Sequence, residues 1–299
     1  MFPPAPLKLV RRLGGIGLAL LGGWAWAHGP LHEQILQLDA ELAQRPDAPD
    51  LLARRAELYR AHGLFSEARL DLTALEKLQP DNLTNRLRRG LLELAARETN
   101  TAVDQLSAWV QRRPASLEGH YGLAHAFVLA GRPGEAVPHF NRVIDLTAQE
   151  PVDESVRQLG VRPELFLDRA KAQVAAGLAV TNTLAGLDDA VTRLGPLPVL
   201  QRFAAELEMK RGDVQTAVAR LGTIAERAER KERWWFQQGE LFLQGGHTNE
   251  ARAKFIAARD ALDRLPEKLQ RAWLATELRQ QIDSKLAAVG VAGQTPAQK

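Results

Sequence analysis

Residues 49–82 read PDLLARRAELYRAHGLFSEARLDLTALEKLQPDN, and the chain repeats the plan of that stretch at intervals of 34 residues. Pro46, Pro80 and Pro114 are 34 apart, as are Ala68, Ala102 and Ala136. Ala217 and Ala251, and Gly212 and Gly246, keep the same interval. Gly177 precedes Gly212 by 35, and Gly63 and Gly131 lie two periods apart. One fixed period in several residue types is the mark of a stacked repeat.

The recurring residues explain what each unit does. Small side chains at Ala56, Gly90, Ala124, Ala170, Ala205 and Gly239 fall where two antiparallel helices must approach closely. Ala68, Ala102, Ala136, Ala217 and Ala251 give the facing helix a small surface. Phe140, Leu221 and Phe255 fill the space between successive pairs. Glycines near the end of each first helix supply the positive φ that stops it, and the prolines close the second. One helix pair cannot bury its apolar face alone, so neighbouring pairs must stack into a continuous core.

On these residues the chain resembles the tetratricopeptide-repeat family, as an exported bacterial member. The first full repeat matches at Leu52, Arg55-Ala56, Tyr59, Gly63, Ala68, Leu72, Leu75 and Pro80. The second matches at Gly90, Ala102, Leu106, Trp109 and Pro114, but has Arg86 and Glu93 where bulky residues are expected. The third offers Leu123-Ala124, Phe127, Gly131, Ala136, Phe140 and Val143; the fourth offers Phe166, Ala170 and Gly177, with an irregular second helix. The fifth carries Ala204-Ala205, Gly212, Ala217, Leu221 and Ile224, and the sixth Trp235, Gly239, Phe242, Gly246, Ala251, Phe255 and Ala258. The resemblance spans residues 49–264 and implies an all-α, right-handed superhelical solenoid of antiparallel helix pairs.

The remaining segments read as caps and an interruption. Residues 31–44 carry Ile35, Leu38 and Leu42 on one helical stripe. Residues 267–288 predict one long capping helix with Leu269, Trp273, Leu274, Leu278 and Ile282 on its buried stripe, followed by a disordered tail at 289–299. The stretch 149–162 breaks the period. It reads as a surface loop or as a hinge between a 31–148 half, with repeats one to three, and a 163–288 half, with repeats four to six.

The first 27 residues have the plan of a secretory signal. Lys8, Arg11 and Arg12 precede an apolar run from Leu13 to Trp26, and Ala25-Trp26-Ala27 supplies a small-x-small cleavage pattern. Cleavage would leave His28 as the mature terminus; retention would make the segment an anchor. Either outcome places the remainder outside the cytoplasm, in the periplasm or facing it from the inner membrane. The charge distribution agrees. The net charge of +3 comes from 39 basic and 36 acidic residues; the three leader cations account for all of it, leaving 36 against 36. No global field therefore points the working chain toward nucleic acid.

Nothing in the sequence indicates catalysis or a cofactor. There is no Cys, no glycine-rich phosphate loop, no paired-histidine zinc motif and no G-x-S-x-G elbow. The seven histidines read as solvated or helix-end residues. The alternative to a binding module is a metal-handling or enzymatic protein using His28 and His32 or the groove, and it lacks an evident third ligand.

The resemblance implies that the first helix of each repeat lines a concave surface holding a peptide or protein segment. The inward residues it points to are Arg60; Leu87, Leu91 and Leu94; Tyr121, His125 and Val128; Lys171; Arg202 and Glu206; and Phe236 and Glu240. A carboxylate clamp used by some members would fall on Ala53, Glu57, Ala61, Leu87, Leu91 and Ala95, so it is absent. Trp234-Trp235 is the most conspicuous aromatic pair, with Trp235 expected in the core.

Overall fold

The computed structural model describes residues 22–148 and 162–292. Residues 1–21 of the 1–27 leader, nearly all of the 149–162 insertion and the final residues 293–299 lie outside the described residues. Among those described, all regular structure is helical. The chain divides into two compact units, one ending at Ala130 and one beginning at Gly131. That boundary falls between the two helices that the 34-residue period assigns to the third repeat.

The N-terminal unit contains α1 (Gly22–Gln44), α2 (Pro49–Ala61), α3 (Phe65–Leu78), α4 (Thr84–Ala95), α5 (Thr99–Arg112) and α6 (Leu117–Leu129). The predicted capping stripe is buried, with Leu38 and Leu42 of α1 packed against Leu51 and Leu52 of α2. The predicted cap proves to be the later part of a helix that starts at Gly22. Helices α2 and α3 are joined by three residues and pack on one another, which forces them antiparallel. Gly63 makes that turn possible at φ 75°, letting the Leu64 amide donate to the Tyr59 carbonyl at 2.9 Å.

One period later the same turn is built without glycine. Arg97 holds φ at 63°, and the Glu98 amide donates to the Glu93 carbonyl at 2.8 Å. The bonding pattern is conserved within the fold, while the side chain brings left-handed strain. Close helix approach is equally specific. A Cβ added at Gly90 would lie 2.5 Å from Leu106 Cγ, and one at Gly239 would lie 2.6 Å from Phe255 Cε1.

The C-terminal unit contains α7 (Pro133–Ala148), α8 (Pro163–Ala175), α9 (Val180–Leu194), α10 (Pro198–Lys210), α11 (Val214–Arg227), α12 (Glu232–Gln244), α13 (Thr248–Asp263), α14 (Glu267–Gln270) and α15 (Trp273–Ala292). Successive helices pack in the order of the chain as far as α13, which packs on α15 past the short α14. Phe166 and Phe255 are fully buried here, each stabilising the unit by about 2–3 kcal/mol relative to exposure.

Five expectations are corrected. The second helix of repeat four is regular, but the link before it holds one extra residue, as the 35-residue spacing from Gly177 to Gly212 records. Thr183 therefore takes the buried slot that alanine fills elsewhere. The C-terminal cap is not one helix, since α14 ends at Gln270 and α15 starts afresh at Trp273. Its buried residues are Ala275, Ile282 and Val289, every seventh position, so Trp273 and Leu274 stand exposed and residues 289–292 continue the helix instead of forming a tail. His120 is buried with Nε2 3.2 Å from the Pro114 carbonyl, not solvated.

Glu93 also finds its explanation. It sits one period from both Tyr59 and Phe127, in a slot filled by aromatic rings in the flanking repeats. Arg69 of α3 donates to it from Nε at 3.0 Å and from Nη2 at 2.5 Å, and Arg89 lies 3.7 Å away. Glu208 occupies the same slot in the fifth repeat, between Arg211 at 3.1 Å and Arg220 at 3.0 Å. Both carboxylates are buried and paired, which is the condition under which charge is tolerated inside.

Candidate functional site

In the N-terminal unit, α1, α2 and α4 leave a cleft of about 540 Å³ that the first turn of α6 also reaches. Apolar side chains from three helices converge there: Leu38 of α1, Ala53 and Leu58 of α2, and Leu87 and Leu91 of α4. The helical repeat explains the convergence. Ala53 and Leu87 are one period apart, as are Glu57 and Leu91, so equivalent positions on parallel first helices present themselves side by side. The volume falls in the range of sites that bind small molecules or short peptide segments.

The rim is polar. Gln34 and Gln37 of α1 are exposed, and Thr84 begins α4, giving donors and acceptors that suit a peptide backbone. Arg54 and Arg88, also one period apart, line one part of the cleft, with Arg88 Nη1 donating to Asn85 Oδ1 at 3.2 Å. Glu57 accepts from Arg60 Nε at 2.8 Å. Glu118 has no ion pair among the described residues, and its carboxyl is pushed above the ordinary range, first by desolvation and then by the charge of Glu57. Arg60 opposes that shift without cancelling it. The corner bearing Glu57 and Glu118 would therefore gain from a cation.

Of the residues that the resemblance places inward in this unit, Leu87 and Leu91 line the cleft. Arg60 touches it through Glu57. Leu94 is half-buried and Val128 is exposed, and neither lines the cleft. Tyr121 and His125 stack edge to face with ring centroids 4.5 Å apart, away from the lining. The wall contributed by α1 was missed in sequence, because a capping helix was assigned only a packing role.

In the C-terminal unit, Lys171, Arg202 and Glu206 are exposed on α8 and α10. Phe236 and Glu240 line a second cleft, of about 500 Å³, between α12 and α15. Phe236 is its floor and not a free groove side chain. It is 6% exposed and packs on Phe255 at a centroid distance of 5.6 Å. Trp235 is half-buried against the same core, and Trp234 is half-buried against Ala205, Ala217, Leu221 and Ile224. Among the described residues no group of three or more His, Asp or Glu has a metal-holding arrangement. His32 is exposed, and the His28 side chain lies outside the described residues.

Comparison with known proteins finds the repeat in part of the sequence and a shared fold over most of it. Residues 87–151 match the tetratricopeptide repeat family model. The C-terminal part of a TPR repeat-containing protein from Cytophaga hutchinsonii superposes with a TM-score of 0.60 at 13% identity, over 84% of this chain and 97% of that one. A tetratricopeptide repeat protein from Parabacteroides merdae gives 0.51 at 16% identity, over 89% and 97%. The Naa15/Naa10 complex bound to HypK gives 0.52 at 15% identity, over 90% of this chain and 39% of that one. At such identities the likeness is one of fold. No curated protein matches the sequence.

Proposed function

We propose that this chain, whose residues 87–151 match the tetratricopeptide repeat model and whose fold is shared with tetratricopeptide-repeat proteins, is a non-enzymatic interaction scaffold of the cell envelope, holding a partner protein's segment in its N-terminal cleft. The observation that carries the reading is the convergence of Leu38, Ala53, Leu58, Leu87 and Leu91 on one open cleft with a polar rim. An apolar floor with a few placed polar groups is the usual make-up of a docking site. The envelope setting rests on the sequence plan of residues 1–27. No helix among the described residues is long and apolar enough to cross a membrane.

Selection of a displayed peptide library on the full chain tests the cleft. Selected peptides should lose about tenfold or more in affinity to a Leu91→Glu variant, since a charge would replace an apolar wall. Peptides that bind the variant equally well would place docking elsewhere. Terminal sequencing of protein from an envelope fraction tests location: His28 first means cleavage, the encoded start means an anchor. Recovery from the cytoplasm alone would refute export.

A further inference from the structure

We propose that the cleft between α12 and α15 is a second, independent docking site, taking a partner segment that presents a bulky apolar side chain with an acidic residue on one side and a basic residue on the other. One aromatic wall of the cleft comes from α15. Its buried stripe is Ala275, Ile282 and Val289, yet its first two residues are Trp273, 74% exposed, and Leu274, 64% exposed. Both line the cleft, facing Trp234 and Phe236 of α12. Trp234 is held from behind by Ala205, Ala217, Leu221 and Ile224, and Phe236 by Phe255, so one wall is fixed by the core. A rigid tryptophan opposite an exposed one is an arrangement in which an inserted side chain is desolvated on both faces.

The charges give the occupant its polarity. Glu240, in the last part of α12, pairs with Lys285, in the second half of α15, at 3.4 Å. Because the starts of both helices, Glu232 to Phe236 and Trp273 to Glu277, also line the cleft, the two flank it in the same direction with their first turns at the other end. At that end Arg233 is exposed and has no ion pair among the described residues, and both helix starts add partial positive charge. One turn beyond Trp273, on the same face, Glu277 lines the cleft and likewise has no ion pair among the described residues. Glu232 is already committed to Arg230 at 2.5 Å. The free charges are thus a guanidinium before the aromatic pair and a carboxylate after it. An acid–apolar–base segment complements both, and the reversed order would place like charges together.

The probe is a capped helical peptide carrying glutamate, phenylalanine and lysine about one turn apart, with a charge-reversed peptide and an alanine-for-phenylalanine peptide beside it. The full chain is labelled with 5-fluorotryptophan, and the Trp273 fluorine resonance is assigned from Trp273→Phe. The first peptide should shift that resonance, the reversed peptide should bind about tenfold more weakly, and the alanine peptide on the order of thirtyfold more weakly. The paired variant Arg233→Glu with Glu277→Lys, both surface changes, should invert the charge preference. Leu91→Glu should leave these titrations unchanged, separating this site from the N-terminal cleft. A Trp273 resonance unmoved by all three peptides, or moved alike by both charge orders, overturns the proposal. So does a shift that follows protein concentration without peptide, which would assign the face to a second copy of the chain.

Discussion

Replacing Glu93 by Gln isolates the charge of a buried carboxylate while keeping its shape. The side chain lies in a residue 4% exposed and accepts from Arg69 at 3.0 and 2.5 Å, with Arg89 at 3.7 Å. Two charge-assisted bonds contribute about 1.5–3 kcal/mol each, and breaking a fully buried pair costs about 3–5 kcal/mol. Two features lower the expectation. The Arg69 side chain is 35% exposed, so water takes part of its solvation, and Arg89 keeps Glu76 at 2.8 Å. Glutamine also retains one acceptor oxygen. The expected loss is therefore about 2 kcal/mol. It would be read as a lower urea midpoint with unchanged slope, by helical circular dichroism of the full chain. Changing both partners, Glu93→Tyr with Arg69→Leu, restores the aromatic type seen at Tyr59 and should recover stability to within about 1 kcal/mol of the parent. A Glu93→Gln variant within about 0.5 kcal/mol of the parent would refute the claim that this network supports the stack.

Three further outcomes follow from single side chains. Arg97→Gly should stabilise by about 0.5–1 kcal/mol, because relief of left-handed strain exceeds the added chain entropy; a lower urea midpoint would contradict it. Arg169 is buried with one bond, from Nη2 to the Gly186 carbonyl at 2.7 Å, and desolvation pushes its pKa down. With no carboxylate in contact among the described residues, Arg169→Met should gain about 1 kcal/mol, and a loss would show that the Phe166 stacking and the carbonyl bond outweigh desolvation. For Glu118 the folded carboxyl is raised, so the ionised form is disfavoured in the native state. Glu118→Gln should match the parent in thermal stability at acid pH and exceed it as pH rises through the unfolded carboxylate range. Curves that stay parallel across that range would remove the raised Glu118 carboxyl, with its desolvation and the charge of Glu57, from the account.

The period of 34 was legible because every repeat solves the same local problem: a close helix approach at a small residue, a left-handed stop and a large side chain between pairs. Departures were illegible where a different residue solves that problem. Arg97 adopts the glycine conformation because the flanking hydrogen bonds fix the turn whatever side chain it carries. Repeat four looked irregular because one extra linker residue slips Thr183 into the alanine slot, a shift that pattern matching at constant phase cannot follow. In the capping segment Leu278 and Ile282 were placed on the buried side correctly, but Leu269, Trp273 and Leu274 were not, because the phase was carried across the break after Gln270. Ala275, Ile282 and Val289 were the signal, spaced by seven. Of the expected inward residues, the repeat register alone puts Leu87 and Leu91 on the N-terminal cleft and Phe236 and Glu240 on the α12–α15 cleft. The wall from α15 was not legible, since recognising Trp273 as exposed depends on where α15 begins.

The two buried carboxylates show that the aromatic slot is a geometric requirement and not a chemical one. Tyr59, Phe127 and Phe242 fill it with rings, which contribute area without fixing a partner. Glu93 and Glu208 fill it with an acceptor that must be met by guanidinium groups, and those come from the surrounding stack. Arg69 reaches Glu93 from α3, the helix before it. Arg220 reaches Glu208 from α11 while its Nη1 also holds Asp188 of α9 at 2.7 Å. In each case the ionic group ties a helix pair to the pair preceding it in the chain. Desolvation leaves such networks little net stability over an apolar filling, but a misplaced partner would strand a buried charge at a cost of about 3–5 kcal/mol. The ionic slots therefore constrain which helix pair may follow which, a constraint that recurring aromatic slots alone do not impose.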